Sequence, residues 1–228
     1  MASLKSFLQG VAPILGVSLA TLYERQRALV RLGVLPPSTG AGPGSGVPFT
    51  AENFAAILIS LLASDSLSDV DQSMVALFKA KPENTFSWGR FEKRIYRDGL
   101  PPTSFWSELT PRGKPTFLRD VALVLSGYSV EVEIEVPGAS DEDGYYPGYE
   151  IADITGVRVS RVWRGQIVVK VGDSSFFASY HSSKNRPARA ISITAEIEGD
   201  MLARLISFTK DALSHPEGLG QAEEKDDE

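Results

Sequence analysis

Arg25, Arg27 and Arg31 fall close together in the segment 16–32, GVSLATLYERQRALVRL, with the hydroxyls of Ser18 and Thr21 just ahead of them. A guanidinium group stays charged at any physiological pH and holds its N–H donors in a rigid fork. A set of them therefore suits phosphate oxygens and the acceptor edge of guanine. Serine and threonine hydroxyls reach the same kinds of acceptor at shorter range. The chemistry on offer here is recognition, with no bond made or broken.

A second basic set lies in RFEKRIYR, residues 90–97. Arg90, Lys93, Arg94 and Arg97 recur at helical spacing there, with Trp88 and Tyr96 nearby. That stripe suits secondary phosphate contacts or an acidic partner, although Glu92 and Asp98 dilute it and a solvated helix face fits the same pattern.

The other candidates for chemistry fall away on inspection. Without a cysteine there is no disulfide framework, thiolate zinc site or cysteine nucleophile, and the chain suits a reducing cytoplasm. His181 and His215 stand in unrelated settings without an i+3 or i+4 partner, which argues against a metal site, and His181 reads as a strand-face residue. GAGPGSG at 40–46 lacks the Gly-Lys-Ser/Thr ending of a phosphate loop and follows no strand. DEDGYYPGYE at 141–150 has Tyr145 and Ala152 where a calcium loop needs oxygen ligands, and reads as an acidic surface turn. No nucleophile elbow supports a Ser-His-Asp triad. The expectation is a protein that is not an enzyme, with no catalytic residues, cofactor or metal.

The elements that must position the arginines can be read from periodicity and punctuation. Residues 4–15 form a short helix carrying Gly10 and Pro13. Ser18 is the N-cap of a helix over about 19–32, and Gly33 closes it. On a helical wheel Leu19, Leu22, Tyr23, Gln26, Leu29 and Val30 share one face. Ala20, Thr21, Glu24, Ala28 and Arg31 share the other, with Arg25 and Arg27 on the flanks. The wheel sends Thr21, Arg25, Arg27 and Arg31 outward. The Gly/Pro-rich stretch 36–48 cannot be regular structure. Thr50 with Asn53 opens a strong helix, and another follows from about residue 66.

Past KPENT the pattern changes. FSWGRFEKRIYRDG (86–99) and PTFLRDVALVLSG (115–127) both read as helices around a Pro-rich stretch. From Val130 the period becomes two, as in VEVEIEV, and further strands follow in GVRVSRVW, QIVVKVG, SFFASYHS and AISITAEIE. RGQ and GDS read as hairpin breaks. A last helix, DMLARLISFTKDALS, ends at His215, with Met201, Leu202, Leu205, Ile206 and Phe208 on an apolar face. That face is core if the sheet covers it and a dimer surface if it does not. The fold class is α+β: a helical domain over 1–80, a helical connector over 81–127, a β-rich domain over 128–215, and a disordered acidic tail over 216–228.

The net charge is −6, yet residues 1–50 carry four basic side chains against one acidic, and 87–127 carry seven against four. Phosphates respond to the local field within about a Debye length, so an acidic total is compatible with a basic reading head. No apolar run reaches the roughly 18 residues of a membrane span, and the first residues lack the apolar core of a secretory signal.

Ala12, Gly16, Val17 and Leu22 fit the helix-turn-helix pattern of a small residue, a turn glycine and apolar anchors. GVSLATLYERQRALVRLGVL, with the loop and helix after it, resembles the start of MerR-type and related winged helix-turn-helix proteins over residues 4–63. The resemblance implies double-stranded DNA as partner, 19–32 as recognition helix, and Ser18, Thr21, Arg25, Arg27 and Arg31 as the reading set. It also implies a wing at 36–48 and homodimers or higher oligomers that reach two half-sites. The role implied is transcriptional regulation of bacterial or phage type. Two departures stand out: Arg25 sits where the pattern prefers an apolar residue, and the loop 38–48 has no basic residue. A plain helical bundle with solvated arginines remains open, as does a structural or adaptor protein, including a phage DNA-packaging recognition subunit, whose head binds protein.

Overall fold

Four helices of this protein begin in the same way, on a hydroxyl. In a computed structural model the side chains of Ser3, Ser18, Thr50 and Thr116 accept the backbone N–H three residues on, at 3.1, 3.1, 3.0 and 3.3 Å. Each satisfies one of the donors that the first turn of a helix leaves unpaired. The helices are α1 (Leu4–Leu15), α2 (Leu19–Arg31), α3 (Ala51–Ala63) and, later, α5 (Phe117–Leu125), with a short α4 (Gln72–Phe78) between. The residues described are 3–38, 46–67, 70, 72–88, 116–128, 130–141, 144–160, 164–171, 174–181 and 194–216.

The strands are β1 (Lys81–Trp88), β2 (Val130–Asp141), β3 (Gly144–Ser160), β4 (Arg164–Val171), β5 (Ser174–His181) and β6 (Thr194–Glu198). The helix α6 (Gly199–Ser214) follows directly. The sheet runs β1-β5-β4-β3-β2, with β6 also on β3, and every pairing is antiparallel. The long β3 is shared: residues 144–152 pair with β2, and the rest pair with β4 and β6. The architecture is α+β.

Three local readings of the sequence are corrected. Residues 86–88, expected to open a helix, lie in β1 opposite Phe177, Phe176 and Ser175, because a long-range ladder overrides a local helical pattern. The expected RGQ break is strand: Arg164, Gly165 and Gln166 pair with Ser160, Val159 and Arg158. Glycine fits there because a Cβ at Gly165 would stand 2.5 Å from the Phe117 ring. The helix expected from about residue 66 starts at Gln72. The basic stripe 90–97 and the tail beyond Pro216 lie outside the described residues.

One apolar core runs from Leu4 to Ala212 and crosses both boundaries at which the sequence suggests separate blocks. Its axis is α3, with nine residues buried, as expected of a helix that is apolar all round. That helix touches α2, α4, α5, β3 and β6. At the far side α1 meets α6: the rings of Phe7 and Phe208 lie 5.2 Å apart, and Gly10 leaves the space that Phe208 fills. The last helix thus spends most of its apolar face internally. Leu202 and Leu205 are buried, Ile206 and Phe208 pack on the core, and Met201 faces out.

Candidate nucleic-acid interface

The candidate site is α2 and the two turns that fix it. After Leu15 the chain takes a left-handed step at Gly16, φ 65°, with Gly16 N–H bonded to Pro13 O and Val17 N–H to Ala12 O. This Schellman closure ties off orphan carbonyls of α1 and turns the chain within three residues. Ser18 then caps α2. Gly33, φ 69°, repeats the closure at the other end, with its N–H on Val30 O and Val34 N–H on Leu29 O, both at 3.0 Å. Helix, glycine turn, helix and glycine stop follow one another without slack.

Beyond Gly33 the chain leaves α2, and residues 46–48 bring it back against the start of α1. Ser3 and Pro48 form an antiparallel bridge, and Leu4 N–H donates to Val47 O at 2.8 Å. Asn53, on the first turn of α3, holds Pro48 O at 2.9 Å through its side-chain amide. The loop expected as a wing is therefore anchored at its base beside α1. Residues 39–45 lie outside those described.

Of the five residues expected to face a partner, Ser18, Thr21, Arg27 and Arg31 are exposed. Ser18 and Thr21 hydroxyls lie 2.8 Å apart at the start of α2. Arg27 and Arg31 stand on one row with Ala20 and Glu24, at i, i+4, i+7 and i+11. Glu24 pairs with Arg27 at 2.6 Å, well within solvent. A pair so exposed contributes little to stability and is readily broken by a competing anion.

Arg25 does not belong to that set. Its residue is 3% exposed, and its Nη1 and Nη2 donate to Ser60 O at 2.8 Å and Ser64 O at 2.6 Å. Those carbonyls close the last turn of α3, where unpaired C=O groups and the helix dipole attract a cation. The inward stripe of α2 is thus Leu22, Arg25, Ala28 and Leu29, and Ala28 also leaves the outward face on which the wheel placed it. The wheel erred because it assumed that an arginine belongs in water. The apolar preference of the helix-turn-helix pattern at this position already hinted at burial.

Sequence reasoning also missed Asp120. This residue is buried on α5, and Tyr180 of β5 donates to its Oδ2 at 2.7 Å. Burial pushes the carboxyl up from 3.8 to about 6, against the lowering effect of the Tyr180 hydrogen bond and the Arg119 charge. Its position three residues after Phe117 and four before Val124 on an apolar stripe is the signal that could have found it. Across the sheet, Arg158 and Glu196 form a half-buried ion pair between directly opposed residues of β3 and β6. His181 lies in β5, and His215 follows α6. Among the described residues no three His, Asp or Glu side chains come together to hold a metal ion, and no helix is long and apolar enough to cross a membrane.

Comparison of the chain with protein-family models, with curated proteins and with solved structures gives no match in any of the three. The functional reading therefore rests on the geometry of α2 and its turns.

Proposed function

We propose that this protein binds double-stranded DNA, with α2 as the recognition helix and Ser18, Thr21, Arg27 and Arg31 as its contacting residues. The observation that carries the reading is the division of α2. Leu22, Arg25, Ala28 and Leu29 hold it to the core, and the two remaining arginines and the two hydroxyls stand outward. A helix seated in a major groove needs this arrangement. Its capped N-terminal turn meets phosphate or base edges, and basic side chains along the row reach the backbone or guanine. The bridge of Pro48 to Ser3 supports the same reading, since residues 46–48 lie against the start of α1, where the base of a wing is expected. Transcriptional regulation is the role proposed for such a protein, with two copies on two half-sites.

One observation favours a second reading. Glu24 lies within the outward row and neutralises Arg27, which weakens attraction to phosphate and suits a protein partner instead. The alternative is an adaptor, including a DNA-packaging recognition subunit, whose helical head docks on protein.

Fluorescence anisotropy with a labelled generic duplex, at low and then moderate salt, separates the two. The DNA reading expects binding by wild type that weakens steeply with salt, and a marked loss for Arg27→Ala/Arg31→Ala. Equal binding by both proteins, or binding by neither, overturns it.

A further inference from the structure

A buried arginine is an expensive way to hold two helices together. Leu22, Ala28 and Leu29 already supply apolar packing for α2, and a leucine or methionine at position 25 would extend it without desolvating a charge. Two neighbouring nitrogens of the Arg25 guanidinium reach two carbonyls, Ser60 O and Ser64 O, which stand one helical turn apart at the end of α3. Apolar burial is non-directional and does not by itself choose one rotation of a helix. A planar fork bonded at two points fixes both the rotation of α2 about its axis and its translation along α3.

The receiving end is itself ordered. Ser60 Oγ donates to Ile57 O at 2.7 Å, and Ser64 Oγ donates to Ser66 O at 2.6 Å while accepting from Ser66 N–H. These bonds hold the turn in which α3 ends, so the two acceptors keep a fixed spacing. From there α3 contacts α5, β3 and β6. The direction in which Thr21, Arg27 and Arg31 point is therefore referred, through one side chain, to the helix at the centre of the fold.

We infer that Arg25 is a positioning residue. It sets the rotational register of α2 against α3, and through α3 it ties the outward row of α2 to the sheet-bearing half of the chain. Its link to DNA recognition rests on the function proposed above; the clasp itself does not.

The absence of cysteine from the chain makes the test clean, because two introduced cysteines carry the only spin labels. Ala20→Cys on α2 and Glu52→Cys on the first turn of α3 are both exposed sites. Pulsed dipolar spectroscopy then gives the distance distribution between the helices in the full chain. With Arg25 present a single narrow distribution is expected. Arg25→Met keeps the stem and loses the fork, and should broaden or split that distribution while far-UV circular dichroism stays that of the folded protein. Arg25→Lys, with one point of attachment, should fall between the two.

A distribution as narrow in Arg25→Met as in the parent overturns the inference, whatever its melting temperature. If Arg25→Met does not fold, Arg25→Lys decides alone: a distribution equal to the parent's overturns the inference, and a broader one supports it. A duplex titration of the parent, Arg25→Met and Arg25→Lys, none of them carrying the added cysteines or labels, reads the consequence for binding. If the competent orientation falls to roughly a tenth of the population, apparent affinity falls about tenfold. The log–log salt slope should stay unchanged because no phosphate contact is lost. Failure of the parent to bind duplex removes the DNA reading, and the distance distributions still decide whether the clasp sets the register of α2.

Discussion

The hydroxyl of Tyr180 on β5 donates a hydrogen bond to the carboxylate of Asp120 on α5 at 2.7 Å, and both residues are closed off from water. The bond pins the helix to the sheet beside the ring contact of Phe117 with Tyr180, 5.1 Å between centroids. A carboxylate kept from water with one neutral donor is under-compensated, which is why its protonation is drawn up to about 6.

The sign of the resulting pH dependence follows from that upward shift. Between about 4 and about 6 the folded protein retains a proton on Asp120 that the unfolded chain has lost. The contribution of this residue to stability is thus fullest at acid pH and declines as pH rises through 6. The shift corresponds to a decline of roughly 3 kcal/mol, level above neutrality. Asp120→Asn keeps an acceptor for Tyr180 and carries no charge. Its urea midpoints should lack the decline expected for wild type between pH 4 and 7, and it should be the more stable protein at pH 7.

Tyr180→Phe acts on the same carboxyl in the opposite way. Without the donor, the protonation midpoint of Asp120 should rise further. The variant should lose about 1–3 kcal/mol at pH 7, the cost of an unsatisfied buried acceptor, and less at pH 4, where the folded protein holds the group neutral with or without Tyr180. Paired denaturation curves at the two pH values check this, and an equal loss at both would show that only ring packing matters.

On the outward row of α2 the expected effects have opposite signs within one turn. Glu24→Gln frees Arg27 and removes a charge that repels phosphate, so duplex affinity should rise. Arg27→Ala and Arg31→Ala should each lower it and reduce the log–log salt slope by ~0.9 if each meets one phosphate. Anisotropy titrations across a salt series give both quantities at once.

The seam between α1 and α6 depends on Gly10, where a Cβ would run into the Phe208 ring. Gly10→Ala should destabilise the fold by about 1–3 kcal/mol despite the better helix propensity of alanine. Phe208→Ala also costs stability, through the void it leaves. The double variant should lose less than the sum of the two, since the methyl then occupies vacated space. Thermal or urea unfolding of the four proteins completes the cycle, and strict additivity would remove the steric explanation.

Local chemistry was legible in the sequence wherever a side chain acts on its own neighbours. Ser18 and Thr50 cap the helices expected of them, Gly33 takes the left-handed position after α2, and the alternation after Val130 is strand. Partners remote in the chain left no such trace. Arg25 finds its acceptors 35 and 39 residues away, and Asp120 meets Tyr180 across 60. A helical wheel assigns faces by polarity, so it turned Arg25 outward. The structure satisfies that cation with carbonyls that no polarity scale records. The opening residues of the helix expected over 86–99, residues 86–88, gave way for the same reason, to a ladder whose other strand lies some ninety positions further on.

The core that runs unbroken from Leu4 to Ala212 bears on how the segment carrying α1 and α2 can be inherited or reused. A detachable cassette carries its own closed interior, so it can be fused, swapped or expressed alone. Residues 3–80 have no closed interior of that kind: cutting there would bare α3 where α5 and β3 now cover it, and α1 where Phe208 now lies. Under the proposed function, changes of target would be confined to substitutions along the exposed row of α2, with the scaffold passed on whole.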